Sequence, residues 1–210
     1  MAGFDTTLRW VNLRATSGYV TDGANQYPFV NSPAASGYPT GTTVNGASVN
    51  MGIVSGTGAM ETRDRSTGVD TRLAGLYFRA HSAVEQPVLR IDLPAAGNYE
   101  IHLAIGDQAN PMSGYRVEIL DGSTSLAVLT GSTSTGQFAD TTNVVRTSPS
   151  DWVANQVGQT FAFATTTLNI KFCTGSADGG TSGLATVGIM SVPAVNYDPI
   201  TACFPIGYYE

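Results

Sequence analysis

Alternation of apolar and polar residues with a period of two is the feature that most constrains this fold. Residues 98–105 place one set of apolar side chains on one face: Tyr99, Ile101, Leu103 and Ile105. The other face carries Glu100, His102 and Ala104. Residues 88–93 alternate in the same way, and no long stretch has apolar residues at the spacing of a helix face. Such alternation is typical of β-strands with one buried face, so we expect an all-β chain.

Turn signals divide these runs into hairpins. The link Pro94-Ala95-Ala96-Gly97 predicts a tight turn that pairs residues 88–93 with 98–105. Asp121-Gly122 predicts a second hairpin, between 115–120 and 125–129, because glycine accepts a positive φ. Further strands are expected at 8–15, 19–21, 51–54, 73–80, 161–163, 168–172 and 184–192, with one helical turn near 150–155.

Many short strands separated by glycine-rich turns are typical of a sandwich or barrel. We expect a jelly-roll-like antiparallel β-sandwich that forms a single domain over residues 1–192. Long polar loops are expected at about 22–50 and 131–150, and an extended arm rich in proline and aromatic residues at 193–210.

The composition argues against several classes of protein. Only 12% of the residues are charged, against about 25% in ordinary globular domains, and disordered chains are usually charge-rich. The net charge is −6 and the arginines are scattered, which argues against nucleic acid as a partner. No apolar run approaches the ~20 residues of a membrane-spanning helix.

Carboxylates are the first candidates for chemistry, because a pair of them suffices for glycoside hydrolysis. The candidates are Asp64, Asp70, Asp92 and Asp107. We favour the alternative that residues 64–72 form a local network of ion pairs and turns. His102 beside Glu100 is interpreted as a half-exposed strand histidine rather than the base of a serine triad, so we expect no enzyme activity.

Metal ligands and cysteines give weaker signals. Asp178-Gly179-Gly180 and Asp22-Gly23-Ala24-Asn25 could bind calcium, but we interpret both as turns, because neither has the alternating acids of a calcium loop. Cys173 and Cys203 fit no zinc ligand set. We interpret them as reduced thiols, with a late-formed disulfide as the alternative. No cofactor or metal is expected.

Aromatic residues suggest two binding surfaces. A possible glycan-binding set surrounds the first long loop: Tyr19, Tyr27, Phe29 and Tyr38. The alternative is that these rings pack locally and hold the loop down. A partner-binding set lies in the arm: Tyr197, Phe204, Ile206, Tyr208 and Tyr209. Aromatic residues are enriched at interface cores, so we favour burial against a partner over packing on the same sandwich. Trp152 is interpreted as a core plug.

The central block resembles a known kind of domain. The segments that carry the resemblance begin with Asp64-Arg65-Ser66-Thr67-Gly68-Val69-Asp70-Thr71-Arg72-Leu73-Ala74-Gly75-Leu76. Leu89-Arg90-Ile91-Asp92-Leu93-Pro94, Gly97-Asn98-Tyr99 and Ala104-Ile105-Gly106-Asp107 follow. They are similar to malectin-like, galactose-binding-like β-sandwich domains of phage virion proteins and bacterial extracellular proteins. The resemblance covers about residues 15–192 and implies a structural or sugar-binding module. The resemblance does not assign a sugar-binding role to any individual residue of this sequence.

Two functions follow as expectations. The first is a non-enzymatic structural protein of a phage particle, a capsid decoration or cement protein that binds the major capsid protein or another virion protein through its loops and arm. The chain opens MAGFDTTLRW without a secretory signal, so it is expected to be made in the host cytoplasm and to reach the virion surface by assembly, as a homo-oligomer, with a trimer as the guess. The alternative is a lectin-like module of a tail fibre or spike that binds a host glycan.

Overall fold

The chain folds into two β-sheets that pack face to face. The structure, a computed structural model, describes residues 4–13, 19–22, 25–30, 38, 40–44, 46–55, 61–65, 70–80, 87–172 and 180–194. Within these residues one sheet has ten strands and the other has six, and we call them the large sheet and the small sheet. Both contribute to one buried hydrophobic cluster, which confirms the β-sandwich predicted from the sequence.

The small sheet is ordered β11-β10-β15-β8-β5-β4. Its strands are β4 (Thr40–Val44), β5 (Ala47–Ser55), β8 (Val88–Asp92), β10 (Met112–Asp121), β11 (Thr124–Thr133) and β15 (Thr167–Phe172). All pairings within it are antiparallel.

The large sheet follows the order β13-β12-β9-β16-β1-β3-β2, and β14, β7 and β6 join it off this path. Its strands are β1 (Arg9–Leu13), β2 (Tyr19–Asp22), β3 (Asn25–Val30), β6 (Glu61–Asp64), β7 (Gly75–Ala80), β9 (Gly97–Gly106), β12 (Phe138–Ala139), β13 (Val145–Arg146), β14 (Gln159–Phe163) and β16 (Thr181–Val192). β1 pairs with β3 in parallel, a departure from the all-antiparallel sheet that we expected.

The main core lies between the sheets. The large sheet supplies Ile101, Leu103, Ile105, Val187 and Ile189, and the small sheet supplies Leu89, Ile91, Val117, Ile119, Leu168 and Ile170, each with no exposed surface. Removing a side chain of this size from water stabilises a fold by about 1.5–3 kcal/mol. The predicted apolar faces of residues 88–93 and 98–105 therefore both point into this core.

A second apolar cluster covers the other side of the large sheet. It consists of Trp10, Leu73, Ala104, Phe138, Trp152 and Ala185, all buried. A short helix, α1 (Pro149–Asn155), supplies Trp152, and a 3-10 turn (Thr71–Leu73) supplies Leu73. The N-cap of α1 is Ser148, whose Oγ accepts a hydrogen bond from the Asp151 backbone N–H at 3.1 Å. The helical turn expected near 150–155 and the interpretation of Trp152 as a core plug are thus confirmed.

One predicted hairpin is wrong. β8 pairs with β15 and β5, and β9 pairs with β16, β14 and β12, so the two strands lie in different sheets. The link between them crosses the sandwich, and Leu93 N–H donates to Thr166 O at 2.9 Å on the way. Two alternating strands bury their apolar faces equally well as a hairpin in one sheet or as members of two facing sheets. The alternation therefore does not identify the strand with which each one pairs. The hairpin around Asp121-Gly122 is confirmed as β10–β11, with Gly122 at φ 57°.

The two expected long loops contain regular structure. The stretch 22–50 includes β3, β4 and the start of β5, and a turn at Gly46, with φ 75°, joins the latter two. The stretch 131–150 includes β12, β13 and the start of α1. Four consecutive residues, 138–141, have no exposed surface, and Phe138 packs in the second apolar cluster while Ala139 packs in the main core. The domain boundary at residue 192 and the arm stay predictions, because residues 195–210 lie outside the described part.

No helix in the described part of the chain combines the length and the hydropathy needed to cross a membrane.

Candidate functional site

The outer face of the small sheet carries a row of polar side chains at its centre. Because Leu89 and Ile91 on β8 face the core, the alternate residues Arg90 and Asp92 point outward. Arg90 lies opposite Asn169 of β15 on one side and Gly52 of β5 on the other. Two polar residues and a glycine therefore lie side by side on the three adjacent strands at the middle of this face.

Tyr38 lies over Arg90 and Asp92 and forms a fixed aromatic and ionic group with them, which we call the Tyr38 cluster. The Tyr38 hydroxyl donates to Asp92 Oδ2 at 2.7 Å, and Arg90 Nε donates to Asp92 Oδ1 at 2.9 Å. The Arg90 guanidinium carbon lies 4.5 Å from the centre of the Tyr38 ring, within the range of a cation–π contact. The ring is thus held at its hydroxyl and on one face.

The Tyr38 cluster is partly exposed. The Arg90 and Asp92 side chains keep 35% and 26% of their surface accessible, and Tyr38 is half-buried. Burial, with the hydrogen bond to Asp92, raises the pKa of the Tyr38 hydroxyl, so the phenol stays a neutral donor at physiological pH. The cluster offers solvent an aromatic surface, a carboxylate and a guanidinium together.

Asn169 adds an acceptor beside this cluster. Its Nδ2 donates to Gly122 O at 2.6 Å, which fixes the amide. Its Oδ1 is buried and has no hydrogen-bond partner among the described residues. A buried acceptor without a partner costs about 1–3 kcal/mol, so a donor at this position would be stabilising.

The predicted glycan-binding residues lie on β2, on β3 and just before β4. Tyr19 lies on β2 opposite Pro28, and Tyr27 lies on β3 opposite Val20. Phe29 follows on β3, opposite Asn12 of β1. These three belong to a β-hairpin beside β1 in the large sheet, whereas Tyr38 contacts the small sheet. The side chains of Tyr19, Tyr27 and Phe29 lie outside the described part, so a single glycan-binding set with Tyr38 stays a prediction.

Three of the four predicted acidic residues, Asp70, Asp92 and Asp107, are bound by arginines. Asp70 accepts from Arg72 Nε at 2.7 Å and Nη2 at 2.8 Å. Asp107 accepts from Arg65 Nε at 2.9 Å and Nη2 at 2.7 Å. Burial opposes ionisation of both carboxyls, but these hydrogen bonds outweigh it and lower their pKa values.

The local-network interpretation is therefore confirmed around Asp70, whose carboxylate also accepts from the Arg72 backbone N–H at 2.9 Å. Asp107 is held in the same way by the Ala109 N–H at 2.9 Å and by Asn110 Nδ2 at 3.1 Å. The Asp64 side chain lies outside the described part.

His102 differs from its predicted environment. It is 6% exposed rather than half-exposed, because α1 and the segment after it cover this face of β9. Its Nε2 lies 2.7 Å from Glu100 Oε1, and its Nδ1 lies 2.5 Å from Gln156 Oε1. Both ring nitrogens are thus occupied, and neither contacts a serine hydroxyl.

The sequence did not identify the role of Arg72. Its guanidinium carbon lies 5.0 Å from the Trp10 ring centre and 5.6 Å from the Trp152 ring centre. The Trp152 Nε1–H donates to Leu103 O at 3.2 Å. Asp70, Arg72 and the two indoles therefore form a largely buried structural group. No local pattern in the sequence signals it, because Trp10 and Arg72 lie far apart along the chain.

An open cleft of about 340 Å³ lies where β9 begins and β16 ends. Its walls are Ala96, Gly97, Asn98, Tyr99, Ser191, Val192, Pro193 and Ala194. Tyr99 is buried and donates its hydroxyl to Ala95 O at 2.9 Å, so the cleft offers little charge or aromatic surface to a ligand.

The remaining predicted sites lie outside the described residues. These are the partner-binding set of the arm, Tyr197, Phe204, Ile206, Tyr208 and Tyr209, together with Cys173 and Cys203. Within the described part, no three His, Cys, Asp or Glu side chains lie close enough together to hold a metal ion.

Comparison with known proteins gives distant structural similarities. No protein-family model matches the chain, and no curated protein matches it. The extracellular domain of ANXUR2 from Arabidopsis thaliana is similar at 10% identity and a TM-score of 0.49, over 90% of this chain and 50% of that one.

Two solved structures of carbohydrate-active proteins are also similar. The CBM36-1 domain of a multidomain xylanase from the hindgut metagenome of Trinervitermes trinervoides has 13% identity and a TM-score of 0.36, over 69% of this chain and 100% of that one. The Podospora anserina GH26-CBM35 β-(1,4)-mannanase has 8% identity and a TM-score of 0.39, over 69% of this chain and 28% of that one.

Proposed function

We propose that this chain is a carbohydrate-binding module that holds a glycan on the outer face of the small sheet, at the Tyr38 cluster. The observation that carries the proposal is the geometry of that cluster: a partly exposed aromatic ring held by a hydrogen bond and an arginine contact. An aromatic ring offers an apolar surface for the C–H face of a sugar ring. A preformed site also avoids the cost of ordering these side chains on binding.

The polar groups beside the ring suit sugar hydroxyls. Asp92 receives one hydrogen bond on each oxygen, from Tyr38 and from Arg90, and a carboxylate has about four acceptor sites. Hydrogen bonds that involve a charged partner are roughly twice as strong as neutral ones. Asp92 can therefore accept from a sugar hydroxyl while it still holds Tyr38. The proposal assigns the site no reaction.

A glycan array followed by titration calorimetry tests the proposal. The wild-type protein is expected to give saturable binding to a defined class of glycan, and Tyr38→Ala is expected to weaken it at least tenfold, about 1.4 kcal/mol. Phe78→Ala is the matched control, because Phe78 also lies under an arginine, Arg63, at 4.8 Å, but on the large sheet. Its affinity should equal that of the wild type.

Two results would contradict the proposal. One is an array without saturable binding. The other is binding that survives Tyr38→Ala but is lost in Tyr27→Ala, which would place the glycan on the hairpin of β2 and β3.

A capsid decoration function at the virion surface stays a prediction from the sequence, because the arm that would attach the protein lies outside the described residues. Rebinding of purified protein to capsids stripped of it tests this prediction, and failure to bind would remove it.

A further inference from the structure

We propose that the outer edge of β11, which no other described strand covers, is a dimerisation surface, on which a second copy of this chain adds its own β11 in antiparallel orientation. The two copies would be related by a two-fold axis, and their small sheets would join into one. This inference concerns a different part of the small sheet from the Tyr38 cluster and does not depend on glycan binding.

Four strands lie at the ends of the two strand orders, and β11 is the longest of them. It has ten residues and, within the described part of the chain, pairs only with β10. The strands at the other ends, β4, β13 and β2, have five, two and four residues. Proteins usually protect a long edge strand with charged residues, proline or a covering segment, because its backbone is a template for another strand.

The sequence of β11 has neither charge nor proline. It reads TSLAVLTGST from Thr124 to Thr133. Val128, near its middle, is 43% exposed, and it lies opposite Glu118 of β10. A long, uncharged edge with an exposed β-branched residue is the kind of strand that accepts a partner strand.

One side-chain hydrogen bond shows which backbone groups of β11 point away from β10. Asn143 Nδ2 donates to the Thr130 carbonyl at 2.9 Å. The Thr130 carbonyl therefore points away from β10, toward the edge of the small sheet. The register is regular between Thr130 and Ala127, and in an antiparallel ladder residues two apart direct their backbone groups the same way. The N–H and C=O of Val128 therefore also point outward.

A second copy of the chain fits this edge better than a charged partner. An antiparallel pair of identical strands is self-complementary about a two-fold axis. The protein carries a net charge of −6, but two copies of β11 bring no charged side chains of the strand together. A strand rich in Lys or Arg would find no acidic partner on β11 itself.

The pairing is expected to be short and the dimer weak. Asn143 covers the edge at Thr130, which leaves residues 124–129, about 20 Å of strand at about 3.4 Å per residue. An interface smaller than about 1,200 Å² is typical of transient complexes. Two-fold pairing through this edge also predicts a dimer, in contrast to the trimer guessed from the sequence.

Sedimentation velocity over a wide concentration range tests the proposal. The wild-type protein is expected to shift from monomer to dimer, and Val128→Lys is expected to raise the dimer Kd at least tenfold, because it puts a charged lysine of each copy into the paired segment. Val54→Lys is the matched control, since Val54 is 42% exposed on β5, an interior strand of the same sheet. Thermal unfolding of each variant checks that the fold is retained.

Cross-linking gives a second measurement. Lys171, the only lysine of the chain, lies on β15, which is separated from β11 by β10. Five strand spacings of about 4.8 Å then separate the two Lys171 backbones of a dimer, about 24 Å. An amine cross-linker of that reach should join Lys171 to Lys171 in the wild type and Val54→Lys, and not in Val128→Lys. A wild type that stays monomeric, forms a trimer, or dimerises equally well as Val128→Lys would overturn the proposal.

Discussion

At the scale of single residues, the environment of His102 is tightly constrained. Both of its ring nitrogens have partners, Gln156 Oε1 and Glu100 Oε1, and its ring packs edge-on against Trp10 at 5.7 Å between centres. A Cβ on Gly158 would lie 2.2 Å from His102 Nε2. Gly158 is therefore required by the close approach of its backbone to the imidazole.

Gly158→Ala is expected to lower the free energy of unfolding by about 2 kcal/mol, a typical cost of overpacking. The added methyl group must displace the ring and break its contact with Glu100, or move the backbone before β14. Urea unfolding at neutral pH measures the effect. Gly41→Ala is the control, because its nearest side-chain atom is Ser48 Oγ at 3.3 Å, on an exposed residue that can turn aside. Equal stabilities of the two variants would contradict the prediction.

His102 also marks a limit of prediction from the sequence. Alternation along 98–105 correctly separates it from the core-facing Leu103, but it does not reveal what covers the other face. Gln156 is 54 residues away along the chain, and a local pattern contains no information about such a contact. The burial of Trp152 could be predicted, because a tryptophan in a short polar segment usually packs its large apolar ring against the core.

At the scale of elements, Asp140 organises the segment between β11 and β14. Its side chain has no exposed surface. It accepts hydrogen bonds from the Thr142 N–H and hydroxyl at 3.0 and 2.7 Å, and from the Val157 N–H at 3.2 Å. Arg146 of β13 adds an ion pair at 2.5 Å. One carboxylate thus connects a turn, a short strand and the link after α1.

Asp140→Asn is expected to destabilise the protein by about 3 kcal/mol at pH 7, because it leaves the mostly buried Arg146 without its counter-charge. Burial opposes ionisation of Asp140, but the hydrogen bonds from Thr142 and Arg146 lower its pKa. A lowered folded pKa means that this stabilisation is complete above the unfolded value, about 3.9, and is lost as the pH falls through the folded value.

Urea midpoints measured from pH 7 to pH 3 check this prediction, and the gap between Asp140→Asn and the wild type should narrow below about pH 4. Glu61→Gln is the control, because Glu61 forms an exposed pair with Arg63 at 2.9 Å, and such pairs contribute about 0–1 kcal/mol. A constant gap across the pH range would contradict the assignment to this carboxylate.

The elements themselves were largely predictable, and their partners were not. Alternation identifies β8 and β9 because each directs a row of apolar side chains into the main core, and Asp121-Gly122 identifies the β10–β11 turn because that turn needs a positive φ. The pairing of β8 with β15 depends on residues more than 70 positions apart. The Tyr38 cluster could be predicted only in part, since Tyr38 was among the candidate rings but its bond to Asp92, 54 residues away, was not.

At the scale of the whole molecule, the main core and the second apolar cluster share strands. β9 directs Leu103 into the main core and Ala104 into the second cluster, and β16 does the same with Val187 and Ala185. Neither cluster can lose its packing without disturbing a strand that supports the other. We therefore expect the described part of the chain to unfold as one cooperative unit.

The chain's two tryptophans allow a direct test of this cooperativity. Trp10 and Trp152 both belong to the second cluster, with ring centres 5.6 Å apart, so their fluorescence reports that cluster, whereas far-ultraviolet circular dichroism reports the strands of both sheets. Two-state unfolding requires both probes to give the same urea midpoint. Leu89→Ala, which opens a cavity in the main core at a cost of about 2–5 kcal/mol, should lower both midpoints together, although Leu89 lies in the small sheet and outside the second cluster. A fluorescence midpoint that stays at the wild-type value in Leu89→Ala would show that the second cluster is an independent unit.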